Sequence, residues 1–253
     1  MINVISSEFY KILRSRVFHI ISGILLFLNV VTFGRSLYVK YSDSITAMER
    51  QQMTATGFMS YQSSFSGDIL FYVILVFAAY LITSEYANKS IRQMACHGIT
   101  RWKLVLGQYI AISLVATIMM LCFAIINLTT DTILNGLGTV DAAVFARMNV
   151  GIICIFWGVS ALGVLLSYIF RNGVLTIIIS LLLVMGSNIA ASIMTEITKN
   201  QDFITYSLSH MRLVIVNFKS APSNVMNYSV IFLGIAAVSI ALASVIFTKR
   251  DIH

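Results

Sequence analysis

The sequence predicts an all-α integral membrane protein with six transmembrane helices, a short N-terminal interfacial helix and both termini in the cytoplasm. Three observations lead there. Of 253 residues, 58% are hydrophobic and 11% charged, whereas a soluble domain carries about 25% charged residues; a soluble fold this apolar would expose patches that aggregate. The apolar residues come in long solid blocks, not in the alternating segments of about ten residues that a β-barrel needs, and the chain has a single proline, Pro222, to break them. Six of these blocks approach or reach the length of about 20 helical residues that crosses a hydrocarbon core of about 30 Å, and with the second counted from Ile69 no Asp, Glu, Lys or Arg lies inside any of them.

In residues 1–16, Ile5, Phe9, Ile12 and Leu13 fall on one helical face and Lys11 and Arg14 lie toward the other. This is the pattern of a short amphipathic helix at the membrane interface, and it serves equally as a simple topology anchor. The first span, about 17–33, begins behind Arg16. It is longer than a signal-peptide core and lacks an Ala-x-Ala-like site behind it, so it is expected to be retained. The remaining spans are placed at about 66–83, 104–127, 150–170, 174–191 and 228–247. Arg171, Asn172 and Gly173 alone join the fourth and fifth, which predicts a tight hairpin. Two long outer loops, 34–65 and 192–227, are long enough to expect structure of their own. The second contains Phe203, Ile204, Tyr206, Leu213 and Val214, apolar enough to dip back into the outer leaflet.

Orientation follows from the basic residues. With both termini inside, the inner segments hold Lys11, Arg14, Arg16, Lys89, Arg92, Arg101, Lys103, Arg171, Lys249 and Arg250 against Glu8, Glu85 and Asp251. The outer loops balance to zero, so the whole net charge of +7 sits on one side. That bias accounts for the charge without nucleic acid, which would need a basic patch on a soluble module.

Catalytic machinery is not expected. Cys96, Cys122 and Cys154 have no metal-ligand spacing and read as small core residues. His19 is the one ionisable group in a block, near its inner end, where an interfacial role is the simpler one. There is no His-Glu-x-x-His, no Gly-x-Ser-x-Gly and no phosphate-binding loop. A proton-coupled carrier would place carboxylates within its spans; sodium coupling through hydroxyl and backbone oxygens stays open, as does a membrane scaffold or sensor. If ATP drives this protein, the ATPase is a separate chain, and a cytoplasmic surface must receive it.

The inner loop 84–103 offers such a surface. Glu85 and Lys89 stand one helical turn apart and can pair. Ile91 is flanked by Ser90 and Arg92, Gly98 allows a turn, and Arg101 and Lys103 open the third span. This run resembles the coupling segment of ABC-2 type transporter permeases. Members carry a Glu after the second span, then a small or hydroxyl residue, an aliphatic and an Arg, with a basic residue about ten positions later. The matching positions are Glu85, Ser90, Ile91, Arg92, Gly98, Arg101 and Lys103. Many members have Gly-Thr where Asn88, Lys89 and Ser90 stand, and a Pro near His97 and Gly98. The run from Ser167 to Asn172 is also similar to the family, as is the plan of an amphipathic helix, six spans and a long outer loop before the last.

The resemblance implies a permease subunit in a bacterial plasma membrane, its ATPase-coupling residues being Glu85, Lys89, Ser90, Ile91, Arg92, Gly98, Arg101 and Lys103. It implies partnership with a cytoplasmic ABC ATPase dimer, which would hold the ATP and magnesium, and with a second permease chain, identical or related. No cofactor is then expected in this chain. Weak small-residue pairs, Ala237 with Ala241 and Ser239 with Ala243, suit helix contacts. The spans are rich in Leu, Ile, Val, Met and Phe. Their scattered polar residues, Asn29, Thr117, Ser160, Ser180, Ser187 and Asn188, serve either as interhelical glue or as a path for an amphipathic peptide or drug. Compact permeases of this look recur among bacteriocin and lantibiotic immunity exporters.

Overall fold

A computed structural model describes residues 2–42, 46–88, 100–199 and 202–249. Every regular element among them is helical: α1 (Ile2–Leu13), α2 (Arg16–Tyr41), α3 (Ala47–Met53), α4 (Gly57–Ser64), α5 (Ile69–Ala87), α6 (Arg101–Asn135), α7 (Ala142–Phe170), α8 (Gly173–Thr198), α9 (Asp202–Thr205), α10 (Leu208–Val216) and α11 (Pro222–Lys249). Six of them, α2, α5, α6, α7, α8 and α11, are long and apolar enough to cross a membrane, one for each apolar block of the sequence.

Most of these helices outrun their blocks. The helix expected to end near Phe33 continues to Tyr41, the third continues from Asn127 to Asn135, the fifth runs on to Thr198, and the last begins at Pro222 instead of Tyr228. The reason is that hydropathy falls at Arg35, Lys40, Asp131 and Glu196, but charge does not break a helix. Backbone chemistry does, and α6 stops only at Gly136, whose φ is +87°. Pro222 suits a first helical turn, where its missing N–H is no loss. The second helix differs in the other direction: it starts at Ile69, not at residue 66, and it carries Ser84 and Glu85 within its last turn, where a loop is predicted. The expected outer loops shrink accordingly and hold α3 and α4, then α9 and α10.

Local capping explains the joints. The Ser15 hydroxyl donates to the Ile12 carbonyl (2.8 Å) and accepts from the Phe18 N–H (3.2 Å), closing α1 and opening α2 with one side chain. In the α7–α8 hairpin, Arg171 adopts the left-handed conformation (φ 55°) and Asn172 Oδ1 accepts from the N–H groups of Val174 and Leu175.

The α7 helix is the hub: 72% of its most apolar stretch is buried, against 17% for α2 and for α8. Two glycines set its neighbours. A Cβ on Gly158 would lie 2.8 Å from the Phe232 carbonyl oxygen of α11, and one on Gly163 would lie 2.8 Å from the Ala78 Cβ of α5. Ser239 and Ala243 of the small-residue pairs are buried in the core, while Ala237 and Ala241 are exposed. Both termini lie at one end of the bundle, with Val4 against Gly107 and Arg101 against Thr248. At the opposite end, α4 lies along the last turns of α6, held by Gly57 N–H to Gly136 O (3.0 Å) and Phe58 N–H to Leu137 O (3.1 Å). There α10 is anchored by Arg212, which is 3% exposed and donates to Asp68 Oδ1 (2.9 Å) and to the Phe65 carbonyl (3.2 Å).

Candidate functional site

The α1 helix reaches the bundle through an acid. Ile12 and Glu8 are both buried, so the face that enters the bundle is not purely apolar; Leu13 and Tyr10 are exposed. Lys11 Nζ donates to Glu8 Oε1 at 2.6 Å and to Glu85 Oε1 of α5 at 3.3 Å. Gln108 Nε2 of α6 donates to Glu85 Oε2. The Tyr168 hydroxyl of α7, wholly buried, donates to Gln108 Oε1 at 2.6 Å. One chain of polar groups thus joins four helices. Burial alone would pull the Lys11 ammonium below its usual range, but the hydrogen bond to Glu8 and the charge of Glu85 outweigh it and hold it above. A cavity of about 250 Å³ opens beside the network, walled by Glu8, Lys11, Glu85, Asn88 and Gln108.

Aromatic and cationic contacts extend the cluster to the remaining ends. Tyr168 packs edge-on against Tyr86 (5.9 Å between ring centres) and Phe247 (5.1 Å). The Arg171 guanidinium lies 5.4 Å over the Tyr86 ring. Arg101, the first residue of α6, donates to the carbonyls of Phe247 (3.2 Å) and Thr248 (2.9 Å) at the end of α11. This is where a cation best complements the helix dipole.

Of the sequence-predicted coupling residues, Glu85 and Arg101 fall in this cluster. Lys103 lies in the first turn of α6, its ammonium 5.7 Å over the Trp102 ring. Lys89, Ser90, Ile91, Arg92 and Gly98 lie outside the described residues, as does Cys96. Glu85 and Arg101 stand on the helices that lead into and out of that segment. Sequence reasoning missed Glu8 as a buried partner, and it missed Gln108 and Tyr168. The available signal was Gln108, a lone amide one turn inside an apolar block, where polar groups are costly.

The segment between two spans that leads from a half-buried Glu to a basic helix start, with α1 packed against α6, the second of the two, is the observation that meets the comparison with known proteins. A sequence profile described as ABC-2 family transporter protein matches residues 4–187. The chain belongs to the ABC-2 transporter family. Membership and six apolar helices make it a multi-pass membrane protein of the permease type, and the ABC-2 family works with an ABC ATPase on a separate partner chain. The match ends within α8, before α11. No curated protein matches the chain. Among the described residues there is no group of three or more His, Cys, Asp or Glu side chains that could hold a metal ion.

The polar residues of the spans divide into two kinds. Thr117 and Ser187 donate back to carbonyls of their own helices, and Asn188 Nδ2 donates to Ser209 Oγ (2.8 Å), which in turn donates to Asp68. These act as glue. Asn29, Ser160 and Ser180 have buried side-chain polar atoms without a partner among the described residues, and Asn188 keeps one such atom, its Oδ1.

Proposed function

We propose that this ABC-2 chain is the permease subunit of an ATP-driven exporter in a bacterial plasma membrane, with the terminus-bearing end in the cytoplasm. Its substrate is an amphipathic peptide or drug, expelled as two permease chains rock against each other. ATP and magnesium sit on the partner ATPase dimer. The segment Glu85–Lys103 receives that dimer: Lys89, Ser90, Ile91, Arg92 and Gly98 form the contact, and Glu85, Arg101 and Lys103 tie it to the spans. The observation that supports this most is the chain of polar groups from Glu8 through Lys11, Glu85 and Gln108 to Tyr168. A push on the segment would move α1, α5, α6 and α7 together, through rigid-body displacement of packed helices and not through a loop. All ten basic residues counted for the inner side fall at this end or outside the described residues, consistent with the positive-inside rule.

The experiment is co-purification with the soluble ATPase encoded beside this chain, followed by ATP turnover of the detergent-solubilised complex. Wild type is expected to form a stable complex. Glu85→Ala is expected to keep the complex but lower its turnover, and Arg92→Ala to weaken assembly itself. No complex, or a complex indifferent to both substitutions, overturns the reading in favour of a scaffold or an ion-coupled carrier.

A further inference from the structure

Two cavities lie end to end between α2 and α6, and together they are shaped for a particular class of molecule. The first, of about 250 Å³, is apolar along its length, walled by Leu13, Phe18, Leu25, Met119, Phe123 and Ile126. It runs toward Asn29, whose side chain is 5% exposed and has neither amide nitrogen nor oxygen bonded among the described residues. The second, of about 340 Å³, shares the Phe123 wall and has a mixed lining, in which Thr32, Ser60, Ser64, Asn127 and Asp131 stand among Val39, Met53 and Ile69. Asp131 is 6% exposed. One of its oxygens accepts from the Ser60 hydroxyl, and the other, Oδ1, is buried without a partner among the described residues. Asn127 has both ends of its amide engaged, accepting from Thr32 (2.8 Å) and donating to Ser64 (3.0 Å). The unused capacity is therefore acceptor capacity on a carboxylate.

A buried carboxylate oxygen left unbonded is costly, and a cationic donor is the group that best satisfies it. The volume is many times that of one water, which occupies about 30 Å³ in the liquid, so the space exceeds what an inorganic monovalent cation needs. Arg35 also lines the second cavity but is exposed. At the mouth its charge is solvated and weakly felt.

We propose that the α2–α6 crevice binds an amphipath with a protonated primary amine, the alkyl tail lying in the apolar cavity and the ammonium pairing with the Asp131 carboxylate, whose side chain turns to present the buried Oδ1 to it. The site names the substrate class of the export reading and rests on that reading for its purpose, though not for binding.

The test uses the full chain alone in phosphatidylcholine nanodiscs, with a photoactivatable hexadecylamine carrying a mid-chain diazirine and the matching hexadecanol. The amine is expected to label α2 and α6 about tenfold more than the alcohol, the worth of one charge-assisted hydrogen bond. Asp131→Asn, which keeps the side-chain size, should bring the amine down to the level of the alcohol. Cys122→Phe, at an exposed position on the apolar wall, should lower labelling by both probes. Equal labelling by the two probes in wild type, or an amine excess that survives Asp131→Asn, overturns the proposal. So does a crevice that neither probe reaches, as when a second copy of the chain covers it. The assay needs no ATPase. Amine-selective labelling in a chain that assembles with no ATPase would keep the site and drop the transporter reading, and an active ATPase complex with no amine selectivity would do the reverse.

Discussion

Two buried amides divide the molecule. Gln108, at the terminus-bearing end, is 2% exposed and uses both its nitrogen and its oxygen, on Glu85 and Tyr168. Asn29, on the wall of the α2–α6 crevice, is 5% exposed and uses neither among the described residues. The same chemistry at the same burial has opposite consequences. A satisfied buried amide fixes the helices around it, because breaking it strands its partners. An unsatisfied one holds nothing together, and its retention calls for some reason other than stability. The first end is built to move as a unit, and the crevice is built with capacity to spare.

The contrast can be broken in three places. The largest effect is expected for Asp68→Ala, which strands the buried Arg212 guanidinium and removes the acceptor of Ser209. It should cost about 3 kcal/mol, the low end for an ion pair that loses one partner, because Arg212 is buried while Asp68 is 35% exposed, seen as a lower midpoint in thermal unfolding of the nanodisc-held protein. A midpoint unchanged from wild type would mean that α10 is not held by this pair. Next comes Gln108→Leu. With Tyr168 and Glu85 each losing its bond to Gln108 it should cost about 2 kcal/mol, and its effect should be largely absent on a Glu85→Leu, Tyr168→Phe background, because neighbours in one network are not additive. Full additivity in that cycle would deny that the chain of bonds acts as one network. The smallest change is expected for Asn29→Leu, which loses no bond of its side chain and should shift stability by no more than about 0.5 kcal/mol. Should Asn29→Leu cost as much as Gln108→Leu, the distinction between the two regions fails.

The amino-acid sequence carries the spans well and the site unevenly. The six blocks are legible because hydropathy is a sum over some twenty residues and tolerates a stray polar group. That same tolerance hides Gln108, one amide among many apolar neighbours. Glu85 and Arg101 are legible from their place on either side of a segment with a recognisable spacing. Glu8 is not, because its bond to Lys11 is local and looks like an ordinary surface pair, and only the packing of α1 against α6 buries it. Asp131 escapes for another reason. The apolar count stops at Asn127, so the carboxylate reads as part of a loop, whereas the helix runs another turn beyond it to Gly136.

The length of α6 also says where the bilayer must end. Its 35 residues, at about 1.5 Å each, measure about 52 Å, far more than the hydrocarbon core of about 30 Å. A tilt at the steep end of what transmembrane helices show, about 40°, would not hide the excess. The 19 residues of α5, at about 28 Å, match the core closely. Because Glu85 near one end of α5 is bonded to Gln108, the other end of α5, Ile69, stands beside Phe123 and Asn127, about two-thirds of the way along α6. The turns that carry Asn127 and Asp131, with α4 strapped along them, therefore rise beside the lipid headgroups. In a thicker membrane this collar would be drawn toward the acyl chains, and in a thinner one it would stand clear. Lipid chain length should thus tune the polar half of the crevice while leaving the terminus-bearing end untouched.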